Sequence, residues 1–344
     1  MNYVIFDTLE MKKILITGAS GFIGSFLVEE ALKRDYQVFA GVRRNSPRTY
    51  LSDPRIQFFE SELSDKNLLT ENLKKHMKSH GRFDYVIHNA GITKSCHKED
   101  FEKVNFTYTK NLIQALMDTG SVPEKFIYMS SLAAFGPGNE QTLQLIKDTD
   151  TPHPITLYGK SKLKAETYIK SLQNFPNLIF RPTGVYGMRE KDYYLAFKNV
   201  KNGLESYIGT SEQHLTFIYV KDLARLIFDA LPSNITGKSY FVSDLNQYTA
   251  KEFHSLIKKA LHKKTISLVV PKPIVRIILF FNEKLFCLFG KAPVLNTEKY
   301  KELICKNWLC DSNSIVRDFG FVPAYDLEKG IQETLAGYKT KKLL

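Results

Sequence analysis

Hydrophobic and polar positions follow two alternating periods along the first half of the chain. Short apolar, β-branched or aromatic runs recur as “KKILITG”, “YQVFAGV”, “RIQFFE”, “FDYVIHNAG”, “KFIYMSS” and “NLIFRPTGVYG”. Between most of them the apolar positions take helical spacing, over Phe22–Lys33, Asn67–Lys78, Phe101–Thr119 and Tyr158–Leu172. Strands alternating with helices predict a parallel sheet covered on both faces, an α/β doubly wound fold of Rossmann type. After about Gly187 the alternation fails. “HLTFIYV” and “KSYFVSD” read as isolated strands, and 249–262 and 326–338 as helices. The economical division is a sheet domain over 11–187, completed by parts of 214–245, with a smaller substrate-binding or capping region over 188–344 interleaved with it. Repeats and low-complexity segments are absent.

The later segment “PKPIVRIILFFNEKLFCLFGKAPVL” is apolar except for Arg276, the patch Asn282-Glu283-Lys284, and Gly290-Lys291. The polar patch near its middle argues against a membrane-spanning helix. Three roles stay open for 273–289: a helix packed on the substrate region, an apolar substrate pocket, or a peripheral contact with a membrane surface.

Composition narrows the classes. Of 344 residues, 43% are hydrophobic and 24% charged, which is ordinary for a globular protein. The formal charge of +12 suits acidic partners such as nucleotide phosphates or an anionic membrane. The lysines are spread out, with no block of like charge that would mark a nucleic-acid tail, so no nucleic-acid partner is expected. Cys96, Cys287, Cys305 and Cys310 form no CxxC pair and suggest neither a disulfide framework nor a zinc site. Scattered histidines and the lack of HExxH leave no metal site. Residues 1–10 lack the basic start and apolar core of a signal peptide, and Met11, opening “MKKILITG”, is an alternative start to Met1. A reducing, cytoplasmic location is the expectation, with membrane association through 273–289 as its variant.

The chemistry begins at “ILITGASGFIG”, where an apolar strand runs into Gly18, Gly21 and Gly24 and then into the helix “FLVEEALKR”. Glycines there allow a tight turn and a close backbone approach to a pyrophosphate, and the helix N-terminus offers free N–H groups. Ser20, Phe22 and Ile23 complete this candidate phosphate site. The TGxxGxxG form, with “HNAG” (88–91), “YMSS” (128–131), “YGKSK” (158–162), “RPTGVYG” (181–187) and “VKDLA” (220–224), resembles the extended short-chain dehydrogenase/reductase, or NAD-dependent epimerase/dehydratase, family. The resemblance covers nearly the whole chain and is firmest over 12–230. Within the family it is nearest to the dihydroflavonol-reductase-like and 3β-hydroxysteroid dehydrogenase-like branch, and it implies an NAD(P)-dependent oxidoreductase.

“AGVRRNS” follows the second strand, where NAD's ribose 2′-hydroxyl is commonly held by a carboxylate. Arg43 and Arg44 stand there instead, and a planar guanidinium suits the 2′-phosphate of NADP. The expected cofactor is therefore NADP, with NAD as the alternative. The resemblance further implies an adenine contact at Glu62-Leu63 and a loop beside the cofactor at Asn89, Ala90 and Gly91. It also implies backbone contacts from Pro182 to Val185, and a structural or water-bridging Asn105.

Tyr158 and Lys162 lie one helical turn apart, so both side chains share a face. A tyrosine hydroxyl ordinarily titrates near ~10, and a neighbouring ammonium would lower that value. Such a phenol can protonate a carbonyl oxygen or take the proton from an alcohol. Ser131 ends the strand “KFIYMSS” and can orient the substrate oxygen, with Ser130 as its neighbouring candidate. Ser131, Tyr158 and Lys162 are the expected catalytic set. The resulting reading is an NADP-dependent enzyme interconverting a carbonyl and a secondary alcohol on a small apolar, steroid-like or flavonoid-like molecule. The alternatives are a nucleotide-sugar epimerase holding NAD tightly and a non-catalytic NADP-binding regulator. Ser131-Leu132-Ala133 lacks the Thr-Asp-Glu that sugar 4,6-dehydratases of the family place there. Homodimerisation through 101–119 and 158–172 is the family habit.

Overall fold

A computed structural model describes residues 11–290, 292–293, 296–341 and 343–344. Residues 1–10, where the choice of start falls, lie outside the described residues. The strands are β1 (Lys13–Thr17), β2 (Gln37–Val42), β3 (Gln57–Glu60), β4 (Tyr85–His88), β5 (Lys125–Met129), β6 (Asn177–Pro182) and β7 (Gly184–Tyr186). They continue as β8 (Leu204–Ile208), β9 (His214–Leu215), β10 (Phe217–Tyr219), β11 (Lys238–Val242), β12 (Tyr248–Thr249), β13 (Ile266–Val270) and β14 (Asn307–Trp308). The helices are α1 (Phe22–Lys33), α2 (Lys66–His80), α3 (Glu99–Glu102), α4 (Tyr108–Asp118), α5 (Leu157–Ser171) and α6 (Asp192–Lys201). They continue as α7 (Val220–Ala230), α8 (Ala250–Leu261), α9 (Lys272–Leu288), α10 (Thr297–Leu303), α11 (Asn313–Phe319) and α12 (Leu327–Thr340).

The central sheet has the order β11-β6-β5-β4-β1-β2-β3, and every pairing in it is parallel. Parallel strands need crossover helices, which cover both faces and bury the strands as near-continuous apolar runs. On one face α1 and α7 close over Ile14, Ile16, Val38, Ile127 and Phe180. On the other, α2, α4 and α5 close over Leu15, Phe39, Val86, Phe126 and Ile179. The strand order reverses between β1 and β4, so a crevice opens there beyond the carboxyl ends of the strands. The fold is thus the doubly wound sheet that the alternating periods predict.

The later segments form small ribbons beside that crevice. β7 pairs with β10, β8 with β13, and β9 joins β12 and β14. A separate apolar cluster, including Phe197, Phe217, Tyr219, Phe253 and Leu335, ties α6, α8 and α12 to the ribbons. The run “HLTFIYV” does not form one strand: Thr216 separates β9 from β10, and its hydroxyl donates to the Trp308 carbonyl at 2.9 Å.

Between α5 and the sheet lies a buried ion pair. Glu166 and Arg181 are almost fully covered, and Arg181 contacts both carboxylate oxygens, with Nη2 at 2.7 Å from Oε2 and Nε at 3.0 Å from Oε1. Ser130 donates to the same carboxylate at 2.5 Å. Removing one partner of such a pair typically costs about 3–5 kcal/mol, so this contact fixes the seat of α5 on β5 and β6.

The cysteines correct the sequence reading. Cys96 and Cys287 are joined by a disulfide across 191 residues of sequence, with Cα atoms 5.6 Å apart. Local spacing carries no sign of a pair so distant. Cys305 and Cys310 are free. No helix among the described residues is long and apolar enough to cross a membrane, and no group of three or more metal-binding side chains forms among them.

Candidate active site

The cleft at the switch point has a volume of about 1120 Å³ and runs from the glycine turn to Tyr158 and onward to α10. Gly18 takes φ +66°, and a Cβ there would stand 2.9 Å from the backbone of Ala90. A Cβ on Gly24 would stand 2.1 Å from the Gly18 carbonyl oxygen, so α1 can start this close to β1 only without one. Gly21 caps α1 with no side-chain hydrogen bond, and the first turn holds no acid. The helix N-terminus therefore keeps free N–H groups and an unopposed positive dipole end, which fits a diphosphate.

Most of the expected cofactor residues line this cleft: Gly18, Ser20, Gly21, Phe22, Ile23, Arg43, Glu62, Leu63, Asn89, Ala90, Gly91, Pro182 and Val185. Three do not. Gly24 packs beneath the turn. Arg44 projects from the exposed loop after β2, outside the lining. Asn105 is fully buried in a π-helical turn (Lys103–Thr107) behind the wall. Its Oδ1 accepts from the Ile92 N–H at 2.8 Å, and its Nδ2 donates to the Ile92 carbonyl at 3.0 Å. Asn105 therefore shapes the loop after β4 instead of facing a ligand.

Past β2 the backbone turns tightly, with the Arg43 N–H donating to Ser46 Oγ at 3.1 Å. No ion pair among the described residues engages Arg43 or Arg44, whereas the Arg48 guanidinium stacks over Phe58 at 4.1 Å. His88 is buried, bridging Thr17 at 2.7 Å and Thr109 at 2.9 Å. Burial, with a lesser push from Lys162, lowers its pKa to about 3. It is thus a neutral brace.

Ser131, Tyr158 and Lys162 meet at the centre of the cleft. The preceding Ser130 is spent on Glu166, which leaves Ser131 as the hydroxyl on the cavity side. The Tyr158 pKa is pushed up to about 12, because burial outweighs the downward pull of the neighbouring Ser131 hydroxyl and Glu302 adds to the rise. Here the structure departs from the sequence expectation of an ammonium-lowered phenol. Lys162 directs its Nζ to the Met129 carbonyl at 2.7 Å, 4.8 Å from the centre of the Tyr128 ring. Burial brings Lys162 down to about 8, against the opposing influence of Glu166. The set therefore presents a phenol that burial keeps neutral.

A model of the NAD-dependent epimerase/dehydratase family matches residues 14–242. The chain belongs to that family. It is an NAD(P)-dependent enzyme of the extended short-chain dehydrogenase/reductase type, the oxidoreductase class that the motifs predict. Among its relatives, a 3β-hydroxysteroid dehydrogenase/Δ5→4-isomerase of Mycobacterium tuberculosis is 24% identical, over 96% of this chain and 91% of the relative. An N-acetyl-α-D-glucosaminyl-diphospho-undecaprenol 4-epimerase of Escherichia coli O157:H7 is also 24% identical, over 94% of each chain. The crystal structure of a UDP-glucose 4-epimerase from Thermotoga maritima with UDP-glucose superposes with a TM-score of 0.78. It is 20% identical, over 96% of this chain and all of that one.

Several residues of this family member's cleft escape the sequence reading. Lys299 and Glu302 of α10 line the substrate end, paired at 2.7 Å. Glu298 accepts the Leu157 N–H at 2.8 Å and Glu302 accepts from Thr156 at 3.2 Å, so α10 caps the N-terminus of α5. Lys94 pairs with Asp192 across the cleft at 3.2 Å. Arg189, at φ +77°, bonds Ser25 of α1 at 2.8 Å and Glu29. Only Arg189 has a sequence signal, lying two residues past “RPTGVYG”. The rest come from segments without regular period. By contrast, no residue of α9 lines the cleft, which removes the apolar-pocket role left open for 273–289.

Because Lys162 sits low, its ammonium persists below pH ~8 and is lost above it. In the cofactor-free protein one lysine NMR resonance should titrate near pH 8 and vanish in Lys162→Met, well below the ordinary lysine value of about 10.4. A Lys162 midpoint near that ordinary value would contradict its burial.

Proposed function

We propose that the protein is an NADP-dependent oxidoreductase interconverting a carbonyl and a secondary alcohol on a small, largely apolar substrate. The observation that carries the cofactor choice is the end of β2: arginines, not a carboxylate, follow the strand there, and Arg43 lines the cleft. Arg43 would grip the 2′-phosphate, with Arg44 adding charge at the mouth. The nicotinamide, when bound, supplies hydride. Tyr158 delivers the proton to the carbonyl oxygen in reduction or takes it from the alcohol in reverse, and Ser131 orients that oxygen. Lys162 places positive charge beside the site as the phenol loses its proton.

The substrate end supports an apolar ligand. Its cations Lys94 and Lys299 are already paired with Asp192 and Glu302. Leu132, Leu215, Phe217, Leu303 and Trp308 supply apolar surface there, beside the polar Thr93, Tyr193, Gln213 and Thr216. One observation favours the second reading, a nucleotide-sugar epimerase holding NAD: Lys94, Lys191 and Lys299 all line the cleft and together could meet a diphosphate if the Lys94–Asp192 and Lys299–Glu302 pairs opened. In the first reading, 11–187 with parts of 214–245 bind the cofactor, and 188–344 cap the substrate. A homodimer through the helices of 101–119 and 158–172 belongs to it as well, using a shallow concavity lined by Phe106, Pro154, Leu163 and Tyr168.

Arg43→Ala/Arg44→Ala should weaken NADPH binding roughly 10- to 100-fold, the loss expected for one or two charge-assisted hydrogen bonds, and leave NADH binding nearly unchanged. Equal losses for both nucleotides would refute the assignment. In a screen of apolar ketones and aldehydes followed by NADPH oxidation, Tyr158→Phe should lower kcat by about 10²- to 10⁴-fold while NADPH affinity stays constant. A loss of only a few fold would name the wrong proton donor.

A further inference from the structure

The helix α9 is amphipathic in the inverse sense. Its inward side carries polar and tethering groups. Glu283 accepts from the N–H and hydroxyl of Thr297 at 2.9 and 2.7 Å, Cys287 is bonded to Cys96, and Leu279 is its one buried residue. Its outward side is a stripe of Ile274, Ile277, Ile278, Phe281, Leu285 and Leu288 at helical spacing, each 48–83% exposed. Twelve of the nineteen exposed large hydrophobic side chains among the described residues fall between 266 and 289, on α9 and the neighbouring β13. An apolar patch of this kind marks an interaction surface.

Charge identifies the occupant. From Lys263 to Thr297 the chain holds six lysines and arginines against the single acid Glu283, and Glu283 is committed inward. Lys263, Lys264, Arg276 and Lys284 are exposed around the apolar stripe. Stacking a second copy on this face would set those cations against one another with no acid to answer them. A negatively charged lipid surface satisfies both halves of the pattern, apolar residues entering the acyl boundary and cations meeting the headgroups.

We propose that α9 and β13 form an interfacial docking surface that seats the protein on an anionic bilayer, with α9 lying in the plane of the membrane. Two links join this surface to the cleft. Glu283 holds the start of α10, whose Lys299, Glu302 and Leu303 line the substrate end, and Cys287 holds the loop containing Lys94. Docking on α9 therefore brings the substrate end close to the lipid surface.

The test is co-sedimentation of the full chain with vesicles of phosphatidylcholine alone, and of phosphatidylcholine with phosphatidylglycerol. The protein should pellet with the phosphatidylglycerol vesicles, release with added salt, and stay in solution with phosphatidylcholine alone. Ile277→Glu/Phe281→Glu should abolish pelleting. Arg276→Glu/Lys284→Glu should weaken it at least about tenfold. All four positions are exposed, so both variants should melt like the parent, which separates loss of docking from loss of fold. Three results would overturn the proposal: no pelleting with phosphatidylglycerol, pelleting untouched by the glutamates on α9, or a dimer in solution that those glutamates dissociate. The assay contains neither cofactor nor substrate, so its failure leaves the reading of the cleft intact.

Discussion

Two opposite charges one helical turn apart, Lys162 and Glu166, are buried between α5 and the sheet, and the active site depends on how they are satisfied. Burying a charge is costly unless it is paired and hydrogen-bonded. Glu166 meets the fork of Arg181 and the hydroxyl of Ser130, and Lys162 meets the Met129 carbonyl. These contacts allow one register of α5 against β5 and β6. Tyr158, one turn upstream of Lys162, then lies against Ser131 at the end of β5. The same arrangement uses up Ser130 and leaves Ser131 facing the cavity. The placing of Ser131 and Tyr158 is thus set by electrostatics in the core behind them.

How much of this was legible follows from the kind of signal each element leaves. Strands buried on both faces and helices with one apolar side leave strong periods, so β1 to β6, α1, α2, α4 and α5 can be read directly. The glycine turn is legible because Gly18 and Gly24 answer steric demands that no other residue meets. The substrate end is not legible. Its walls come from β9, β14, α6 and α10, short elements whose places depend on distant contacts such as Glu298 on Leu157 and Lys94 on Asp192. Asn105 and Arg44 show the limit from the other side. Each stands at the right place in the sequence, yet one is spent on the backbone of Ile92 and the other points outside the lining. The protonation behaviour was also hidden, since burial lifts Tyr158 and lowers Lys162 by amounts that no spacing reveals.

The segment 273–289 joins these themes. Its apolar run is plain in the sequence, but only the fold shows that Glu283 and Cys287 turn inward and most of the apolar side chains outward. The Cys96–Cys287 bond and the Glu283–Thr297 contacts hold this inverted helix to both walls of the substrate end. The half built on the central sheet and the half built on the ribbons therefore follow different principles. The first is a dense sheet with buried strands. The second is an assembly of short elements held by caps, ion pairs and one covalent link.

The proposed function turns on whether the cleft prefers NADP to NAD. The most direct measurement is to denature freshly purified protein, identify any released nucleotide, and titrate the emptied protein with NADPH and NADH. The account predicts an empty or NADP(H)-loaded protein that binds NADPH at least about tenfold more tightly than NADH. Stoichiometric, tightly held NAD would contradict it and turn attention to nucleotide sugars.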